Sequence, residues 1–381
     1  MRKMRRNETK LERSKQKRNM IKLLIGGSPC TYWSIAQKNN RETEPFGIGW
    51  ELFENYLIAK DKFQPDFFLY ENNKSAAQAI KNEIKKRLKV GESDARYIEI
   101  NSALVSAQNR QRFYVHNCGD VEQPEDRGIL LRDVLESGES WIEKGYALTT
   151  RCSGAIPEDT IKRKRHTMVA DPVRIGTIES ETQTKHDSKP FRVYSIDGKS
   201  VALQGQAGGV GAKTGLYAVQ IYKIELNGKT YPVYEVKDGQ ITIKGNKYPI
   251  KLSDGFYIIR KLTVTECCRL QTLPDDYCRS VSATQAYKGI GNGWTAEVII
   301  HILNGALKDI PRDEEIVVLS MYDGIGTGRY CLDKMGFTNV KYFAYEIDKY
   351  AMQIAKSNYP DIIECGDAFQ VREDKWNISG V

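Results

Sequence analysis

The chain has 381 residues, 40% of them hydrophobic and 10% aromatic, enough for a large domain with an insertion or for two domains. No apolar run approaches the ~18 residues of a membrane span. The net charge of +8 is concentrated: residues 1–20 hold nine Lys/Arg against Glu8 and Glu12, or +7, which leaves the other 361 residues close to neutral at +1.

That basic tail can add sequence-independent phosphate contacts or form a solvated extension; alone it identifies nothing. The cysteines at 30, 118, 152, 267, 268, 278, 331 and 365 include no C-x-x-C pair, and the four histidines are dispersed. Neither a disulfide framework nor a metal site is expected. The start of the chain has no apolar signal-peptide core, so a reducing cytoplasm is expected.

After the tail, "IKLLIGG" (21–27) reads as a buried parallel strand ending in glycines. "DFFLYEN" (66–72), "RYIEINSA" (96–103) and "RFYVHNC" (112–118) follow, with helical stretches between them. The rhythm then lapses. From 119 to 258 the chain is rich in Gly, Lys and Thr and in short β-like runs, with turn signals at Asp197-Gly198 and Asp238-Gly239. Helical pattern returns at "TVTECCRLQTL" and "TAEVIIHILNGAL", and "KDIPRDEE" (308–315) leads to three more strands, "EEIVVLSMYDG", "VKYFAYEID" and "DIIECGD". Seven strands in two blocks, alternating with helices, predict an α/β sheet completed from both parts of the chain.

Chemistry-bearing residues collect at the strand ends. Tyr322-Asp323-Gly324-Ile325-Gly326-Thr327-Gly328 joins a strand to a helix, where glycines admit close approach of a ligand. Glu346 ends the next strand, placed to take both ribose hydroxyls of a nucleoside, and Asp367 ends the third, able to accept from an adenine amino group. Cys30, after Pro29, is a nucleophile or an inert buried thiol. Glu71 is a general acid or a capping carboxylate. Arg110 and Arg112 share one face of an extended segment, suiting a phosphate, a polarised carbonyl or surface ion pairs.

Pro-Cys, Glu-Asn and Gln-x-Arg-x-Arg, in that order on successive strands, resemble the cytosine-C5 DNA methyltransferases. The resemblance extends to "RKLTVTECCRLQTLPDDY" (260–277), to "YKGIGNGW" (287–294) and to "VYSIDGKSVALQGQAGGVGAKTGLY" (193–217), the last similar to the stretch that anchors the family's target-recognition domain. Together these span residues 21 to 370. One thing is out of order: the family begins with its cofactor strand, whereas here the three cofactor strands stand last, as in a circular permutant. Thr31, Asn73 and Ala202-Leu203 depart from the commoner glutamine, valine and Thr-Leu, and the last puts one DNA-backbone contact in doubt.

The resemblance implies a Rossmann-like, circularly permuted seven-stranded methyltransferase sheet with an inserted, mostly β and irregular recognition domain. The boundaries expected are a basic extension (1–20), a nucleophile half (21–118), the recognition domain (119–258) and a cofactor half (259–381). It implies methyl transfer from S-adenosylmethionine to C5 of a flipped-out cytosine in duplex DNA, with Cys30 adding to C6, Glu71 protonating N3, Arg112 holding O2 and Arg110 supporting Cys30. Tyr322, Asp323, Gly324, Ile325, Gly326, Thr327, Gly328, Glu346, Ile347, Asp367, Ala368, Pro29, Asn292, Gly293 and Trp294 are implied for the cofactor. Ser34, Gln37, Gln108, Lys213 and Thr214 are implied for DNA. No metal is required. A monomer is expected, either solitary or paired with a cognate restriction endonuclease. The alternatives are a tRNA cytosine methyltransferase and a non-catalytic DNA-binding partner subunit.

Overall fold

A computed structural model describes residues 20–34, 41–150, 152–172, 193–195, 216–218, 223–226 and 229–378. The basic tail, Gln37, Lys213, Thr214 and the turn signal at Asp197-Gly198 lie outside the described residues. The chain forms two compact units, one of Met1–Leu130, Tyr146–Ser153 and Thr263–Val381, the other of Leu131–Gly145 and Gly154–Leu262. No helix among the described residues is long and apolar enough to cross a membrane.

In the first unit, β1 (Ile21–Gly26) leads through α1 (Ile48–Phe63) to β2 (Phe67–Asn73), then through α2 (Gln78–Arg87) to β3 (Arg96–Asn101) and β4 (Gln111–His116). The chain returns to this unit briefly at Tyr146–Ser153, forms the short α3 (Pro157–Ile161) in the other, and comes back at Thr263 into α4 (Val264–Leu270); α5 (Ala283–Asn292) and α6 (Ala296–Leu307) follow. Then β5 (Ile316–Met321), α7 (Thr327–Lys334), β6 (Val340–Tyr345), α8 (Lys349–Asn358) and β7 (Ile363–Gly366) close the sequence. All seven strands predicted join one mixed sheet in the order β7-β6-β5-β1-β2-β4-β3, with β4 antiparallel to both neighbours.

The sheet's centre is a pairing between distant parts of the chain. β1 runs parallel to β5 in register from Ile21↔Ile316 to Gly26↔Met321. Both strands are apolar because both faces of a parallel sheet are covered: every residue of β5 is buried, and Leu23, Leu24 and Ile25 are inaccessible. Gly26 is required by the approach itself, since a Cβ there would lie 2.5 Å from the Met321 carbonyl oxygen. From this centre β1 crosses to β2 on one side and β5 crosses to β6 on the other. The strand order therefore reverses between them, and such a switch point opens a crevice at the carboxyl ends of the strands.

Two local devices explain quoted sequence patterns. "TVTE" is a capping box: the Thr263 hydroxyl accepts from the Glu266 amide at 3.1 Å, and the Glu266 carboxylate accepts from the Thr263 amide at 2.8 Å. The "KDIPRDEE" link is ordered by Arg312, which donates to the Leu307 carbonyl at 2.9 Å and lies over the Phe337 ring at 4.5 Å.

Among its described residues the second unit's largest sheet is antiparallel and five-stranded, in the order Asn246–Pro249, Gln240–Ile243, Tyr234–Lys237, Gly255–Lys261, Met168–Pro172. Its two hairpin turns place Asp238-Gly239 and Lys244-Gly245 at φ 51°, 67°, 49° and 78°. Positive φ at both central residues is what twisted two-residue hairpins demand, so the predicted Asp238-Gly239 turn has its physical cause. Val236, Ile241, Ile243, Tyr257 and Ile259 form this unit's own core.

Gly26→Ala is expected to lower unfolding stability by roughly 2 kcal/mol, because the clash is with backbone that cannot swing aside. Gly154→Ala, where a Cβ meets nothing within 4 Å, is the control expected to change little; urea unfolding of both variants checks the difference.

Candidate active site

At the carboxyl ends of β1, β2 and β5 lies a cleft lined by Gly27, Ser28, Pro29, Cys30, Thr31, Glu71, Arg110, Arg112, Asn292, Gly293, Trp294, Tyr322, Asp323, Gly324, Ile325, Thr327 and Glu346, among others. Cys30 opens a 3-10 turn, Cys30–Tyr32, whose carbonyl accepts from the amides of Trp33 and Ser34 at 3.1 and 3.0 Å. The half-buried thiol thus stands on a short, internally bonded turn directly behind the central strand. Ser34 lies beside β2, its hydroxyl 3.4 Å from the Asn73 amide nitrogen.

Glu71 is held by two donors. Arg112 Nε lies 2.8 Å from its Oε1, and Trp294 Nε1 donates to its Oε2 at 3.1 Å. Both side chains of the ion pair are nearly enclosed, at 11% and 12% exposure. Water screens such a pair far less than a surface one, so the geometry is firmly set. Arg112 reaches Glu71 because β4 runs antiparallel to β2, which sets Asn73 opposite Arg112 and Glu71 opposite Tyr114.

Arg110 turns its guanidinium to backbone: it donates to the carbonyls of Leu148 at 3.0 Å, Gly291 at 3.3 Å and Gly293 at 2.8 Å. Burial and the neighbouring Arg112 pull its pKa down to about 10, still far above neutrality, so it stays charged. Gln108, expected to meet DNA, is instead fully buried. Its amide donates to Leu270 O at 2.9 Å and accepts from the Leu148 amide at 2.8 Å, so no surface remains for a duplex. Gln271, which sequence reasoning quoted without giving it a role, donates to the carbonyls of Ile290 and Gly293 at 2.8 and 3.0 Å and accepts from Thr295 at 2.8 Å. Gln271 and Arg110 together fix the Asn292-Gly293-Trp294 turn, and so the indole that meets Glu71. The signal was available in the Arg-Leu-Gln segment, but its partners lie about 20 residues on and across the fold.

On the other side of the switch point the glycine turn follows β5. Tyr322, Gly324 and Gly326 all have positive φ, at 63°, 65° and 79°. A Cβ at Gly324 would meet nothing, whereas one at Gly326 would come within 3.0 Å of Ala355, so Gly326 serves helix packing and Gly324 the turn. The Tyr322 hydroxyl donates to Leu52 O at 2.7 Å, fixing the ring against α1. Glu346 accepts from the amides of Gly324, Ile347 and Asp348, each at 2.8 Å. Asp323 accepts from Ser320 Oγ and Tyr342 Oη, both at 2.6 Å, yet burial outweighs these bonds and pushes its carboxyl up to about 6.

One feature of the cleft suits S-adenosylmethionine, the cofactor that the resemblance implies. Thr327 lines the cleft with a buried hydroxyl that has no hydrogen-bond partner among the described residues. Ile347, directly after Glu346, is 73% exposed and is not among the cleft's lining residues. Ala368 is buried, and Asp367 is exposed, capping the Phe369 amide at 3.0 Å and lying outside the cleft's lining. Gln285, Asp348 and Tyr350 also line the cleft and were not anticipated.

The model of C-5 cytosine-specific DNA methylases matches residues 2–308. The chain belongs to this family. It is a DNA cytosine-C5 methyltransferase, and the methyl donor of the family is S-adenosylmethionine. The type II methyltransferase M.HpaII of Haemophilus parainfluenzae is 26% identical over 289 residues, covering 71% of this chain and 67% of its own. M.FnuDI of Fusobacterium nucleatum is 26% identical over 307 residues, covering 77% and 78%. M.HhaI of Haemophilus parahaemolyticus is 24% identical over 300 residues, covering 74% of each.

The methyltransferase's Asp323 carries a pH dependence. Its raised pKa means that the folded state holds a proton that the unfolded chain releases near pH 4. Stability is therefore greatest below about pH 4 on this account and falls as pH rises towards 6, by roughly 2 kcal/mol. Asp323→Asn, which keeps an oxygen for Ser320 and Tyr342, is expected to raise the thermal midpoint at pH 8 and leave it unchanged at pH 4. Calorimetry across that range checks both.

Proposed function

We propose that Cys30 is the nucleophile of the transfer, that Glu71 bonds and protonates cytosine N3, and that Arg112 holds the base O2. The observation that carries this reading is the convergence of Cys30 and the Arg112–Glu71–Trp294 set on the cleft that also receives the glycine turn. Cytosine C5 is a weak nucleophile. Addition of the Cys30 thiolate to C6 pushes the C5–C6 electron pair to C5 while N3 takes a proton from Glu71, leaving an enamine. S-adenosylmethionine, when bound, supplies a methyl group activated by its sulfonium. Loss of the C5 proton then re-forms the C5–C6 double bond and expels the Cys30 thiolate, and N3 returns its proton to Glu71. The base must first leave the duplex, at a cost of a few kcal/mol.

In this reading Arg110 is a positioning residue, acting through the carbonyls it holds. Tyr322, Gly324, Thr327, Glu346 and Ile347 hold the donor, with Asn292 and Trp294 on the opposite side; Asp367 would need to turn from its cap to join them. Ser34 and, outside the described residues, Gln37, Lys213 and Thr214 would meet DNA.

The motif order is that of a circular permutant. Support comes from the family match, which ends at residue 308, ahead of β5, β6 and β7, although those strands adjoin β1 in the sheet. The second unit is the target-recognition domain, and the enzyme acts on duplex DNA in the cytoplasm as a monomer, solitary or beside a cognate endonuclease.

Duplex DNA carrying 5-fluorocytosine tests the assignment, since fluorine cannot leave C5 as a proton does. A DNA-linked band dependent on S-adenosylmethionine and abolished in Cys30→Ser is expected. Glu71→Gln should slow transfer to ordinary duplex by about 10²–10⁴-fold. No adduct from protein that binds S-adenosylmethionine would overturn the nucleophile's assignment.

A further inference from the structure

The second unit carries a turn that the transfer chemistry leaves unused. Directly after α3 come Lys162, Arg163, Lys164 and Arg165, four consecutive exposed cations, followed by the half-buried His166. We infer that this turn grips the phosphodiester backbone of duplex DNA, an inference that rests on the function proposed above.

An ordinary solvated charge run would let these side chains spread apart, but this turn is built. Lys164 and His166 sit at φ 51° and 57°, in the left-handed region that non-glycine residues seldom enter. The turn folds over Asp159, which is 4% exposed and accepts from Arg163 Nη1 at 2.8 Å and from Arg165 Nε and Nη2 at 3.1 and 2.8 Å. Burial would raise the Asp159 pKa, yet the bonds from Arg165 and Arg163 outweigh it and hold the carboxyl below its usual range. The backbone is pinned as well, with the Arg165 amide on Asp159 O at 3.1 Å and the Lys162 amide on Glu158 O at 3.0 Å.

The result is a pair of guanidiniums fixed along one edge and 56% and 49% exposed along the rest. Such a pre-set fork matches phosphate oxygens and loses little freedom on binding. The neighbouring Glu158 is taken by Lys244 at 2.6 Å. Phosphate contacts of this kind set register and affinity without reading sequence.

The test uses the full chain, mixed-sequence duplex DNA and fluorescence anisotropy at several KCl concentrations. Lys162→Gln/Lys164→Gln leaves the Asp159 bonds intact. It is expected to weaken duplex binding about tenfold at low salt, equally for all sequences, and to flatten the salt dependence of log K by about 1 to 2. Lys164→Gly suits the backbone, so its thermal midpoint should hold or rise while affinity still falls, a separation that a merely structural role would not give. Unchanged affinity and salt slope in the double variant, beside a wild type that binds and methylates the duplex, would overturn this inference alone. Loss confined to single-stranded RNA binding would overturn it too. A wild type that neither binds nor methylates duplex DNA would instead bring down the function on which the inference rests.

Discussion

The site depends on one pairing, the parallel contact between β1 and β5 at the middle of the sheet. It brings the end of β1, with Cys30 behind it, alongside the end of β5, with the glycine turn behind it. No side-chain bond does this. The alignment comes from backbone hydrogen bonds, from two strands apolar on both faces, and from Gly26, whose missing side chain lets the Met321 carbonyl come close. A shift of one residue would turn every buried side chain of either strand to the opposite face, so the register is strongly specified.

Around that axis the cleft's polar groups divide into those that bond backbone and those that bond one another. Arg110 and Gln271 are spent on carbonyls, and their burial is tolerable because those bonds repay much of what is lost from water. Arg112 and Trp294 are spent on a single carboxylate. Glu71 consequently has little rotational freedom.

Much of this was legible in the sequence, for identifiable reasons. All seven sheet strands announced themselves, because runs such as "IVVLSM" and "KLLIG" must be buried on both sides. Asp238-Gly239 marked its hairpin through the φ values it tolerates. Cys30, Glu71, Arg112, Gly324 and Glu346 stood out because strand ends are where such a sheet opens. What sequence could not supply was direction. Gln108 and Arg110 sit two residues apart in one motif, yet Gln108 faces wholly inward, and no local pattern tells a buried amide from a DNA contact. The Trp294–Glu71 bond joins residues 223 positions apart. The unit boundary was likewise non-local: Tyr146–Ser153 returns to the first unit, where Leu148 bonds Gln108 and Arg110.

The same central pairing has a consequence during synthesis. β2 emerges soon after β1 and can cover one of its edges, but β5 begins 295 residues after β1 does. At translation rates of about 5–20 residues per second, the other edge of β1 stays uncovered for roughly 15 to 60 s. An apolar strand with an open edge is a template for pairing with any chain nearby. The hairpins of the second unit, by contrast, close over two-residue turns and can form as they leave the ribosome. The nascent enzyme therefore carries a half-built sheet until the residues from Ile316 onward arrive, and shielding that waiting edge falls to whatever chaperones meet it.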